Sequence, residues 1–76
     1  MSRLPQVPGD RVVRALERAG FVVVKQKGSH CAMRHKTDLS KRCTIPLHGS
    51  RPVRPGTLHA ILQGAKLDLE TFLDLL

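Results

Sequence analysis

The chain has 76 residues, 41% of them hydrophobic, which suits a single domain spanning residues 1–76 with one modest core. Lys and Arg number 13 against 6 Asp and Glu, a formal net charge of +7, and a small domain this basic points to a polyanionic partner. No run reaches the roughly 18 apolar residues of a membrane span, and Met-Ser-Arg-Leu-Pro lacks a signal peptide's apolar segment, so a cytoplasmic protein with no membrane partner is expected.

Residues 1–7 read as an extended leader, broken by Pro5. Pro8-Gly9-Asp10 opens a helix whose apolar face is Val12, Val13, Leu16 and Ala19. Asp10 suits the helix dipole in the first turn and is spaced to pair with Arg14. Gly20 is the expected stop, with Phe21 folding back onto Leu16.

Phe21 to Lys27 is the first predicted strand and His30 to His35 the second. Gly28-Ser29 between them fits a two-residue type II′ turn, which puts Lys27 directly across from His30 and Lys25 one pair further on the same face. Lys36 to Ser40 is a polar connection. Lys41 to Leu47 is the third strand, with Cys43, Ile45 and Leu47 alternating against Arg42, Thr44 and Pro46. Pro46 demotes it to an edge strand. Cys31 and Cys43 fall on neighbouring strands, nearly opposite, and in a reducing compartment are expected as free thiols packing as small apolar groups.

A loop from His48 to Gly56 follows. Thr57 is the expected cap of a helix carrying Leu58, Ile61, Leu62 and Ala65, ended by Gly64 and Ala65. Asp68 caps a last short helix with the stripe Leu69, Phe72, Leu73 and Leu76, and Leu67 and Phe72 form a hydrophobic staple. The order α-β-β-β-α(-α) predicts an α+β two-layer sandwich: a three-stranded antiparallel sheet with the helices on one face. The other face is left open for basic charge, an arrangement reminiscent of a double-stranded-RNA-binding domain.

His30 is the leading candidate for chemistry. An imidazole changes charge near neutral pH, and here it sits on a tight turn beside fixed positive charge. RNA carries its own nucleophile, the 2′-hydroxyl, so scission needs a base, an acid and cations at the phosphate, with no metal or cofactor. Lys25 and Lys27 are candidate phosphate contacts. Ser29 either orients a phosphate or satisfies the turn. The third strand runs back towards His30, which makes His48 the candidate second acid or base. His35 falls roughly 17 Å from His30 along the strand at about 3.3 Å per residue. His59 is expected to be packed or solvated. Arg34, Lys36, Lys41 and Arg42 cluster at the far hairpin, where they are candidates to hold RNA backbone. Cys31, His35, Cys43 and His48 do not form a zinc site, because Cys31 and His35 lie about 13 Å apart on one strand. The two phenylalanines are the only aromatic residues and neither is expected at the surface, so recognition should rest on backbone and shape rather than base stacking.

One ordered set of motifs carries a resemblance. It comprises Gly20-Phe21, Gln26-Lys27-Gly28-Ser29-His30, Arg34-His35, Ile45-Pro46-Leu47-His48, and Pro55-Gly56-Thr57-Leu58 with Ile61-Leu62. In this order and spacing, roughly from Leu4 to Leu76, the chain resembles the HicA family of bacterial toxins. The resemblance implies an mRNA interferase, a small endoribonuclease with a double-stranded-RNA-binding-domain-like fold. It implies one essential histidine, carried over to His30 in the Gly-Ser-His motif, and a cognate antitoxin of the HicB type. Pro8, where members often carry a capping residue, and the longer connection around Asp38-Leu39-Ser40 depart from the pattern without touching the motif. The rival expectation is a non-catalytic module of the same fold that binds duplex RNA.

Overall fold

The computed structural model describes residues 4–76; the first three residues of the leader lie outside the described residues. The elements are α1 (Gly9–Arg18), β1 (Phe21–Lys27), β2 (His30–His35), β3 (Arg42–Pro46), α2 (Pro55–Ala65) and α3 (Leu69–Leu75). The strands form one antiparallel sheet in the order β1-β2-β3. This is the α+β layout that the sequence pattern predicts, with β3 on an edge.

Alternation along β2 sets the two faces. Cys31 and Met33 are buried, while His30 and Arg34 are exposed. On β3, Ile45 is buried and its neighbour Thr44 is exposed. The helices cover the Cys31–Met33–Ile45 face, with Val12, Ala15 and Leu16 of α1, Leu58, Ile61, Leu62 and Ala65 of α2, and Phe72 of α3 closing the core. Burying a side chain such as Met33 or Ile45 contributes about 1.5–3 kcal/mol.

The open end of the core is closed by the leader. The Val53 amide donates to the Val7 carbonyl at 2.8 Å, Pro8 bridges Pro52, and Val7 and Val53 are both buried. This ties the loop before α2 to the start of α1, a long-range link that no local pattern announces.

Several boundaries differ from the sequence expectation. Helix α2 starts two residues before Thr57: Arg54 is its N-cap and Pro55 takes the first turn, where a missing N–H costs nothing. Gly64 lies inside α2 rather than ending it, and the cap is Lys66 at φ +53°. Asp68 does cap α3, accepting from the Thr71 amide at 2.8 Å. Leu73, expected in the apolar stripe, points outward at 43% exposure, and Leu75 packs in its place. Asp10 accepts from the Arg11 amide at 2.9 Å. Cys31 pairs with Ile45 and Cys43 with Met33, so the two thiols are diagonal neighbours rather than opposite, and both are free. Burial pushes the Cys43 thiol up to about 11 and also raises Cys31, so both are neutral packing groups at pH 7.

Candidate functional site

The β1–β2 turn is built as its residues dictate. Gly28 takes φ +57° and is the one turn residue with positive φ, as a type II′ turn requires. Lys27 pairs with His30, and Lys25 pairs with Ala32. Gln26 pairs with Cys31, whose side chain is buried, so Lys25, Lys27 and His30 share the open face. The register shifts between Val23 and Lys25, leaving Val24 as an extra residue on β1.

On the other side of His30, β3 returns. His30 pairs with Pro46, and the Leu47 amide donates to the Ser29 carbonyl at 2.6 Å. That bond staples the end of β3 to the turn, so His48 leaves the sheet beside His30. Ser29 thus holds the turn through its backbone. Beyond it lies a pocket of about 550 Å³ whose polar walls are His30, Thr44, His48, Arg51, Arg54 and Thr57. The remaining walls, Pro46, Pro52 and Val53, are apolar. Among the described residues no carboxylate lines it, so the pocket favours an anion. His30 therefore stands between two sources of positive charge, Lys25 and Lys27 on β1 and the arginines of the pocket.

The sequence pattern brings His30 and His48 together, but it places Arg51 and Arg54 only within the loop from His48 to Gly56 and gives Thr57 only as a cap. The signal that could have found Arg54 is its place directly after the apolar Val53. A buried Val53 turns its neighbour Arg54 away from the core, while the place of Arg51 follows from its amide bond to the His48 carbonyl, which no local pattern announces.

The remaining candidates sit at the far end of the sheet. Arg34 pairs directly with Arg42 on the open face, and Lys36 and Lys41 belong to the connection beyond. Two like charges facing each other repel, which favours an anion between them. His35 turns to the core side. Its Nδ1 accepts from the amides of Thr37 (3.2 Å) and Asp38 (3.1 Å), and its ring meets Phe21 edge-on at 5.3 Å. His59 is exposed on α2. Among the described residues, no group of three or more His, Cys, Asp or Glu is arranged to hold a metal ion, and no helix is long and apolar enough to cross a membrane.

Fold and pocket together define a small basic α+β domain with an imidazole-and-guanidinium pocket at one end of its open sheet face. The family model for the HicA toxin of bacterial toxin–antitoxin systems matches residues 9–67. That match covers most of the chain, and the chain belongs to this family. It is the toxin half of a toxin–antitoxin pair, and an antitoxin is its partner. A search of the curated proteins gave no match.

Proposed function

We propose that this toxin is a metal-independent endoribonuclease that cleaves mRNA in the cytoplasm. The observation that carries the reading is the meeting of His30 and His48 at one pocket without a carboxylate, with Lys27 across from His30. One imidazole takes the proton of a ribose 2′-hydroxyl as that oxygen attacks the adjacent phosphorus. The P–O5′ bond breaks, and the other imidazole gives the departing 5′-oxygen its proton. The products are a 2′,3′-cyclic phosphate and a 5′-hydroxyl, so the strand is cut with no added reactant. Lys25 and Lys27 offset the charge that builds on the phosphate. Arg34, Lys36, Lys41 and Arg42 hold more distant backbone.

A nuclease of this kind harms its host unless covered. The antitoxin, of HicB type, is expected to present an acidic surface to His30 and the basic face.

The test is RNA cleavage by purified protein with chelator present, together with growth on expression. His30→Ala should lose about 10²–10⁴-fold in rate, the usual contribution of general acid–base catalysis, and should no longer arrest growth. His48→Ala should lose activity and one limb of the pH–rate profile. Undiminished cleavage by His30→Ala would sink the assignment.

A further inference from the structure

The pocket holds more than the acid–base pair needs. Arg51 and Arg54 reach it from a loop that is anchored rather than loose, since the Val53 amide donates to the Val7 carbonyl at 2.8 Å, Pro52 bridges Pro8 and the Arg51 amide donates to the His48 carbonyl at 3.1 Å. Thr44 reaches it from the open face of β3 and Thr57 from the first turn of α2. We propose that the pocket is a one-nucleotide subsite for single-stranded RNA, in which Arg51 and Arg54 grip a phosphate next to the scissile one and Thr44 and Thr57 read the base.

The chemistry of the walls leads there. Guanidiniums are matched to phosphate oxygens through paired N–H donors. A threonine hydroxyl is both donor and acceptor, so two of them can meet a base edge. Pro46, Pro52 and Val53 offer an apolar flank to the base. At about 550 Å³ the cavity lies within the size range of small-ligand sites. A duplex keeps its bases stacked inside and has none to insert, whereas sequence-dependent RNA recognition works on splayed single-stranded bases. The fold suggests duplex binding; the pocket favours a single strand that crosses from Lys25 and Lys27 over His30 and turns in. This builds on the reading of His30 as the cleavage centre, and the experiment keeps the two apart.

The probe is a set of 2′-O-methyl tetranucleotides, which cannot be cleaved because the nucleophile is blocked, with binding read by fluorescence anisotropy against a blunt duplex. The single strand should bind more tightly than the duplex. The double variant R51A/R54A, both residues being exposed, should keep its melting temperature and lose about 10-fold or more in single-strand affinity, as expected when charged hydrogen bonds go. Thr44→Val, which keeps the shape, should alter the ranking among base sequences. Affinity unchanged in R51A/R54A, a duplex bound as tightly as the strand, or a loss confined to antitoxin binding would each overturn the subsite. If the wild type cleaves no RNA but Arg-dependent strand binding persists, the subsite stands and the nuclease reading fails.

Discussion

His30 and His35 lie on the same strand and do opposite work. The ring of His35 accepts from two backbone amides through Nδ1, which leaves its proton on Nε2 and ties the ring to the far hairpin. Its role is to hold that turn in shape. His30 is exposed beside Lys27, free to meet a substrate. The turn that His35 supports has its own titrating group. Asp38 accepts from the Ser40 hydroxyl at 2.6 Å and the Ser40 amide at 3.1 Å, and these bonds, the hydroxyl first, hold its carboxyl below the ordinary 3.8. Asp68 is lowered likewise, by its bonds to Thr71. A depressed carboxyl stabilises the fold above its unfolded pKa and loses that contribution as pH falls through its folded value. The melting temperature should therefore decline below about pH 4. Asp38→Asn with Asp68→Asn, which keeps acceptors but not charge, should flatten that decline; an identical slope in the double variant would refute the assignment. Turn chemistry made His30 legible, because Gly28-Ser29 fixes which residues close the hairpin. The bonds of His35 were not legible, since they depend on how the next connection folds back.

At the scale of elements, two glycines let the helices close on the outer edge of β3. A Cβ on Gly9 would run into the Pro46 carbonyl oxygen, and one on Gly64 would lie 2.5 Å from the Arg42 carbonyl oxygen. Both obstacles are backbone atoms that cannot rotate away. Gly64→Ala should cost about 1–3 kcal/mol by overpacking, a drop of several degrees in melting temperature for a domain this size. Gly56 is the control. It is helical, with nothing within 4 Å of its Cβ position, so Gly56→Ala should be stabilising by up to about 1 kcal/mol. Calorimetry of the two variants reads opposite signs, and equal effects would refute the close-approach account. The other sheet edge, β1, is not covered by a helix in this way. Its exposed Val22, Val23 and Val24 are guarded by the bulge at Val24 and by Lys25 and Lys27, devices that discourage a stray strand from adding there. The strands were readable because alternation at period two is a strong local signal. The start of α2 was not, because Thr57 has cap chemistry while Pro55 sets the first turn. Gly64 resembles a stop, but its reason is a neighbour in space rather than in sequence.

At the scale of the whole molecule, charge is arranged rather than merely abundant. Lys25, Lys27, Arg51 and Arg54 flank His30, and Arg34, Lys36, Lys41 and Arg42 gather at the opposite end of the sheet. The sequence disclosed the excess and the far cluster, but not that the loop arginines face the catalytic candidate, since the bond from Val53 to Val7 joins distant parts of the chain. Two clusters on one face imply a length-dependent response to salt. For single strands, log K falls with log salt by about 0.7 per phosphate neutralised. An uncleavable tetranucleotide has three phosphates, so engaging the His30 end alone it should show a slope of about −2, and a dodecamer that also reaches the far-end cations should approach about −5. Replacing Arg34, Lys36, Lys41 and Arg42 by Ala should return the dodecamer to the tetranucleotide slope and leave the tetranucleotide unchanged. Equal slopes for both lengths would remove the far hairpin from the RNA path. An acidic antitoxin covering the same face must displace the same ions, so its affinity should also fall with salt, and less steeply in the far-hairpin variant. Toxin–antitoxin binding indifferent to salt would mean that the antitoxin grips the fold elsewhere, with His30 left uncovered.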